Sequence, residues 1–212
     1  MSALPEFVGF PKIARISREI VVTEKIDGTN ACVYIPEVEG EFACGNCARH
    51  PEDRDFCECA KFQSPTEIFA ASRNRWITPE DDNLGFAGWV ARNKDELLKL
   101  GPGRHYGEWW GQGIQRRYGL KEKRFSLFNV ARWGPIGLQD GSILPSCCHV
   151  VPVLGRGLFK MSLVEEALED LRQHGSRAAP GYMDPEGVVV YHTAGRVMFK
   201  KTLKGDEKGK GE

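Results

Sequence analysis

The sequence predicts an α+β domain, and three observations carry that prediction. Segments rich in β-branched and aromatic residues come in runs and do not alternate regularly with helical segments; two or three stretches of helical apolar spacing lie among them; glycine and proline breakers separate the pieces. At 212 residues and 41% hydrophobic content the chain can bury the core of one domain.

Glu19-Ile20-Val21-Val22-Thr23-Glu24-Lys25 is β-rich, Gly28 breaks it, and Ala31-Cys32-Val33-Tyr34-Ile35 resumes as a second strand before Pro36. Lys25 therefore falls at a strand end beside a turn. Residues of about 40–62 carry Gly, Asn, Pro and acidic residues without periodicity, and read as an insertion between core strands. From Asn83 to Leu100 the apolar positions Phe86, Val90, Leu97 and Leu100 recur mainly at helical spacing before Gly101-Pro102-Gly103, which predicts a helix over that stretch. A second helix is predicted from Ser162, a capping residue with Glu165 three positions on, through Leu163, Ala167, Leu168 and Leu171 to Gly175. Tyr106–Trp110, Arg124–Val130, Gly187–Tyr191 and Arg196–Lys200 read as strands, the last two joined by the hairpin turn His192-Thr193-Ala194-Gly195. No internal repeat or coiled coil is seen.

Composition excludes some classes of function. No apolar run approaches the roughly 20 residues that span a bilayer, and Met1-Ser2-Ala3-Leu4-Pro5-Glu6 lacks the basic-then-apolar order of a signal peptide. The expectation is an intracellular, cytoplasmic protein with no membrane partner, and a phage genome is a compatible source. Lysine plus arginine equals aspartate plus glutamate at 29 each, so distribution matters more than net charge. Basic residues crowd at Arg116, Arg117, Lys121, Lys123 and Arg124, and again at Arg196, Lys200, Lys201, Lys204, Lys208 and Lys210. Solvated faces and nucleic-acid contacts both fit that pattern.

Seven cysteines without a secretory signal argue against a disulfide framework. Four of them, Cys44, Cys47, Cys57 and Cys59, share a short polar segment with His50. Cys44-x-x-Cys47 is a zinc-knuckle half and Cys57-x-Cys59 a less usual second half, so one structural zinc on four thiolates is expected, with His50 able to replace a thiol and a metal-free reduced loop as the alternative. Cys147-Cys148 is expected to pack.

A lysine becomes a covalent nucleophile when its ammonium loses a proton, and Lys25 stands in Glu24-Lys25-Ile26-Asp27-Gly28-Thr29-Asn30, where a glycine lets backbone approach a ligand. Read with the later segments, this element resembles the Lys-x-Asp/His-Gly of the covalent nucleotidyltransferase superfamily, and specifically the duplex-nick-sealing, ATP-dependent RNA ligases of phages and of trypanosome RNA editing. Ala71-Ser72-Arg73-Asn74-Arg75 resembles that family's next element. Tyr106-Gly107-Glu108-Trp109-Trp110-Gly111-Gln112-Gly113-Ile114-Gln115 resembles Phe-Gly-Glu-x-x-Gly-x-Gly-Ile-Gln, and Phe125-Ser126-Leu127-Phe128-Asn129-Val130 resembles Phe-x-x-Phe-Asp-Ile. Pro185-Glu186-Gly187-Val188-Val189-Val190 resembles the Glu-Gly-hydrophobic element, and Phe199-Lys200-Lys201-Thr202 the closing Lys-x-Lys strand. The six elements arrive in family order over about residues 8–204.

The resemblance implies an ATP-grasp-like nucleotidyltransferase (adenylyltransferase) domain over 1–204, with antiparallel sheets flanked by helices, and a flexible polar tail over 205–212. It implies an enzyme that joins 3′-hydroxyl and 5′-phosphate ends through AMP carried on Lys25, with magnesium or manganese as the metal and nucleic acid, RNA favoured, as the partner in RNA repair. Roles follow residue by residue. Arg73 contacts the phosphate or ribose side of the nucleotide, Glu108 its ribose hydroxyls, and Phe128 stacks on adenine. Glu24, Ile26, Asp27, Gly28 and Asn30 line the nucleotide around Lys25. Glu186 engages Lys25 and the catalytic metal, and the lysines of the closing strand hold the α-phosphate.

That strand departs from the pattern, because position 202 is threonine and position 199 phenylalanine. Adjacent strand residues face opposite ways, so one of Lys200 and Lys201 enters the site. Lys200 is favoured, since Val197, Phe199 and Lys201 then share the other face, with two apolar side chains expected in the core. By the same argument, one of Phe125 and Phe128 is expected in the core and the other facing the nucleotide. Two other readings are a DNA ligase of the same chemistry and a non-catalytic nucleotide- or nucleic-acid-binding module. The chain stops a few residues after Lys204, where duplex-sealing RNA ligases typically carry a further helical domain that helps bind the RNA; weak sealing, an accessory protein, or use of the chain's own insertion and basic clusters to hold the strand are the three expectations left open.

Overall fold

The computed structural model describes residues 6, 8–37, 67–134 and 143–205. The chain divides into two compact units, Met1–Ile26 with Pro152–Glu212, and Asp27–Val151. The cysteines 44, 47, 57 and 59, His50, Lys208 and Lys210 lie outside the described residues.

The first unit is built on a four-stranded antiparallel sheet in the order β10-β9-β1-β8, with β1 at Glu19–Lys25, β8 at Val153–Leu158, β9 at Gly187–His192 and β10 at Val197–Thr202. β1 is an inner strand, and its β-branched Ile20, Val21 and Val22 are all buried. One face of the sheet is covered by α4 (Met161–His174), whose Val164, Ala167, Leu168 and Leu171 meet Ile20, Val22, Val188 and Val190. The spacing of those helix residues is the 3.6-residue period on which the helix was expected. Its start differs: the capping position is Lys160, in extended backbone, and Ser162 lies inside the first turn with no capping role. The helix stops where the Gly175 N–H bonds to the Leu171 carbonyl at 3.0 Å.

β10 corrects another expectation. Val197 and Phe199 are 45% and 62% exposed and are not core residues. The reason is position: β10 is an edge strand, and the buried residues of α4 cluster over β1 and β9.

The second unit carries a six-stranded sheet in the order β4-β3-β2-β5-β6-β7. The strands are β2 at Thr29–Ile35, β3 at Phe69–Ser72, β4 at Trp76–Ile77, β5 at Gly103–Gly111, β6 at Lys123–Leu127 and β7 at Cys148–Val150. All neighbours are antiparallel except β6 and β7, which run parallel. Alternate residues point to one face, where Val33, Ile35, Trp109, Phe125 and Leu127 join Phe86, Val90, Leu97 and Leu100 in the core.

Those last four come from the stretch expected to form one helix. It is broken instead into α1 (Phe86–Arg92), α2 (Lys94–Leu97) and a 3-10 turn over Leu98–Leu100. The break falls at Asn93, whose side-chain amide donates to the Trp89 carbonyl at 2.8 Å and so competes with the backbone ladder. The start of α1 is held by Asp82, whose carboxylate accepts from the Ala87 and Gly88 amides at 2.8 and 2.9 Å. Cys148 is buried in this core with the half-buried Cys147 against it, as expected for packing residues. Among the described residues no helix is long and apolar enough to cross a membrane.

Candidate functional site

In the first unit Lys25 ends β1, and its ammonium donates to Glu186 Oε2 at 2.6 Å. The pairing follows from register. Lys25 lies opposite Gly187 on β9, so the residue just before that strand is carried next to the lysine. Gly187 is required at this corner: its φ is +154°, and a Cβ there would lie 2.2 Å from the Lys201 carbonyl oxygen. Lys25 and Glu186 keep 23% and 17% side-chain exposure, so the pair is sheltered yet open to a ligand.

Register also separates the two lysines of β10. Thr23 opposes Val189, which opposes Lys200, so Lys200 shares a face with Thr23 and Lys25. Lys201 opposes Val188 and shares the α4 face, where it lines a shallow cleft with Glu165, Leu168 and Glu169.

Glu24 points to that same α4 side, away from Lys25's face. It is buried, and its carboxylate accepts from the Ser176 hydroxyl at 2.5 Å and from the Arg177 and Ala178 amides at 2.8 Å each. Burial raises its pKa above the ordinary value, while the bonds from Ser176, Ala178 and Arg177 pull it back. The loop after α4 thus fastens the end of β1, one residue before the nucleophile candidate. Ile26 is buried beside it.

In the second unit Asp27 and Gly28 are held against β5 and the loop that follows. Gly28 N–H donates to Glu108 Oε1 at 3.0 Å, Asp27 N–H donates to the Tyr118 hydroxyl at 2.7 Å, and Arg116 Nε donates to Asp27 Oδ2 at 3.1 Å. Only glycine fits at 28, because a Cβ would lie 2.5 Å from the Trp109 carbonyl oxygen, 2.7 Å from Trp110 Cβ and 2.9 Å from Glu108 Cγ. Asn30 lies opposite Glu108, on the same sheet face.

Phe128 follows β6 and is not part of it. The strand stops at Leu127, and the Asn129 side chain accepts from the Arg132 amide to cap the short helix α3 (Val130–Trp133). This corrects the expected strand over Arg124–Val130. Asn129 offers the backbone a competing hydrogen bond, which favours a cap over continued strand. Phe125 is fully buried, whereas Phe128 is 39% exposed with its N–H on the Tyr106 carbonyl at 3.0 Å. Arg73 sits in the turn between β3 and β4, exposed and without an ion pair among the described residues, while Arg75 is tied to Asp81.

The RNA ligase family model matches residues 18–204. The chain belongs to the RNA ligase family. No match was found among curated proteins. Solved structures similar to this family member include variants of the Naegleria gruberi RNA ligase. A glutamate-to-alanine variant with ATP and Mn is 17% identical with a TM-score of 0.54, covering 95% of this chain and 58% of that one. A lysine-to-alanine variant with ATP and Mn is 18% identical with a TM-score of 0.50, covering 94% and 57%. An aspartate-to-alanine variant in the apo state is 19% identical with a TM-score of 0.51, covering 94% and 56%. The chain therefore spans a little over half the length of these ligases. At this identity the likeness shows the fold, a mixed α+β arrangement with mainly antiparallel sheets, as the motifs implied.

Sequence reasoning about this family member missed Arg116, Tyr118 and Ser176 as neighbours of the lysine element. Arg116 stood out only as one of a basic cluster, and no signal marked the others. Tyr118 is buried with its ring edge-on to Trp110, and Gln115, Arg117 and Tyr118 have φ of 42°, 59° and 49°. Side chains at such angles are uncommon and cost energy, and here the strained loop delivers Arg116 and Tyr118 to Asp27.

Proposed function

We propose that this protein is an ATP-dependent RNA ligase that joins 3′-hydroxyl and 5′-phosphate ends through AMP carried on Lys25. The observation that carries the reading is the Lys25–Glu186 hydrogen bond of 2.6 Å, with Lys200 on the same sheet face, in a chain of the RNA ligase family. In the first step the neutral amine of Lys25 attacks the α-phosphorus of ATP, an N–P bond forms and the P–O bond to pyrophosphate breaks. Glu186 holds the Lys25 side chain in place as an ion pair, and the ammonium's proton has to leave to solvent before the amine attacks. Lys200 offers a cation to the charge that develops on the phosphate. AMP then passes to a 5′-phosphate end, and a 3′-hydroxyl displaces it to seal the strand.

Glu108, Phe128, Arg73 and Asn30 would bind the nucleotide, Glu108 through the ribose hydroxyls and Phe128 by stacking. Ile26, Asp27 and Gly28 would present backbone to it. Glu24 acts on Lys25 through the loop at 176–178, because its carboxylate is already bonded there. Among the described residues no group of three or more metal-ligating side chains occurs. That fits magnesium or manganese, which needs only one or two protein carboxylates when substrate phosphates and water complete its shell, and Glu186 would be the protein ligand. Bound there, the metal would supply charge neutralisation on the phosphates.

The test is sealing of nicked duplex RNA, of nicked RNA–DNA hybrid, of nicked DNA and of single-stranded RNA by the purified chain with ATP and magnesium. RNA-containing nicks should be sealed fastest. Preference for all-DNA nicks would move the reading to a DNA ligase, and no sealing or AMP transfer with any of them would leave a binding module. The cysteines 44, 47, 57 and 59 are proposed to hold one zinc, on their spacing alone. Metal analysis should find one equivalent, and a metal-free active protein would refute it.

A further inference from the structure

The sheet of the second unit has a second face, opposite its core. Cross-strand register puts Tyr34, Phe69, Trp76, Arg104 and Tyr106 on it, from four adjacent strands: Tyr34 opposes both Phe69 and Arg104, Tyr106 opposes Cys32, and Trp76 opposes Ala71. Three of the rings form a cluster, with centroids 6.2 Å apart for Tyr34 and Phe69, 5.7 Å for Tyr34 and Trp76, and 6.1 Å for Phe69 and Trp76. The Arg104 guanidinium lies 4.6 Å from the Tyr34 centroid and 5.4 Å from that of Trp76. Yet Phe69, Trp76 and Tyr106 remain 45%, 50% and 56% exposed.

We propose that this face is a base-stacking platform for a single-stranded stretch of nucleic acid. The proposal rests on the ligase reading above and adds where the strand lies. Flat rings interleaved with a guanidinium on an open sheet match the chemistry that holds unpaired bases, with ring faces for stacking and a cation for phosphate. The chemistry is selective: the cluster holds aromatic rings and one arginine, with no branched aliphatic side chain among them. Position supports it too. The platform continues along β5 into Glu108 and along β2 into Asn30, and the Phe128 N–H bonds to the Tyr106 carbonyl at 3.0 Å. From Arg104 to Glu108 is roughly 14 Å of strand, the length of about four stacked nucleotides. A strand with its end at the proposed nucleotide-binding row would therefore run over these rings.

The test uses the whole chain, a short fluorescein-labelled single-stranded RNA, and a strand of the same length without bases. Combined Trp76→Ala and Phe69→Ala should weaken RNA binding by on the order of 10-fold or more, and the loss should persist at raised salt because stacking releases no counterions. Trp76→Phe, which keeps a ring, should bind within about threefold of the parent. The baseless strand should bind parent and double variant alike. Trp76 is the most exposed tryptophan, so RNA should quench the parent's emission more than that of Trp76→Phe. Adenylylation of Lys25 in the double variant should match the parent, which separates this proposal from the ligase reading: an unreactive parent sinks that reading, whereas the platform stands or falls on binding. The platform is overturned if the double variant binds RNA as the parent does. Unchanged binding with a lowered melting temperature overturns it equally, and assigns the rings to packing by the chain's own residues.

Discussion

Replacing Gly28 by alanine tests how tightly the lysine element is seated. The new methyl would lie 2.5 Å from the Trp109 carbonyl oxygen and 2.7 Å from Trp110 Cβ, atoms fixed in the middle of the sheet. That is roughly 1 Å short of an ordinary contact, so the 27–28 segment has to move by about that distance. The movement costs about 2 kcal/mol as overpacking, and breaking the 3.0 Å bond from Gly28 N–H to Glu108 costs about 2 kcal/mol more, since the acceptor is a carboxylate. A melting temperature lower by on the order of 10 °C follows for a chain of this size. Lys25 stands three residues earlier, and a 1 Å misplacement of a reacting group costs on the order of 100-fold in rate. The assay is a thermal melt beside single-turnover formation of the AMP adduct. If Gly28→Ala melts within about 2 °C of the parent and reacts within about threefold, below the costs worked out above, the close approach is not what holds this element.

Two further outcomes follow from the first unit. Glu24 has its pKa raised by burial, so the folded state binds this proton more tightly than the unfolded chain, and its contribution to stability grows as pH falls through the folded value toward 4.5. Denaturant titrations at neutral pH and near the carboxylate range should show the parent gaining stability relative to Glu24→Gln on acidification; a relative loss would mean that the bonds from Ser176, Arg177 and Ala178 outweigh burial. Lys200→Ala should slow adduct formation by at least about 100-fold, the scale of losing a group aimed at transition-state charge. Lys201→Ala should change it by less than about threefold, and equal effects would contradict the assignment of faces by register.

Much of the fold was legible because the signals were local. β1 and β2 announce themselves by β-branched runs around Gly28, and α4 by Val164, Ala167, Leu168 and Leu171. The short strands β3, β4, β7 and β8 were not foreseen, because two to six residues carry little periodicity of their own and owe their pairing to neighbours distant in sequence. The break at Asn93 and the cap at Asn129 were missed because one side-chain amide can divert a backbone that its apolar spacing would have continued. The exposure of Val197 and Phe199 depends on which strand is the edge, which is a property of topology and not of β10.

The site divides in the same way. Lys25, Glu108, Phe128 and Glu186 stood out because their motifs are short and ordered along the chain. That Glu186 engages Lys25 followed from the resemblance alone, since the contact spans 161 residues and no local signal carries it. That Tyr118 and Arg116 would hold Asp27 depends on a loop of left-handed residues that no propensity favours. The resemblance gave Glu24 to the nucleotide site with its neighbours; strand alternation turns its side chain to the face opposite that of Lys25, where Ser176, Arg177 and Ala178 hold it.

Everything proposed for the reaction turns on AMP being carried by Lys25. Intact mass and peptide mapping of the purified chain, incubated with ATP and magnesium or manganese, test it most directly. The parent should gain one AMP, located on Lys25 and absent from Lys25→Ala. A parent that gains nothing with either metal, or an adduct that maps elsewhere or persists in Lys25→Ala, would contradict it.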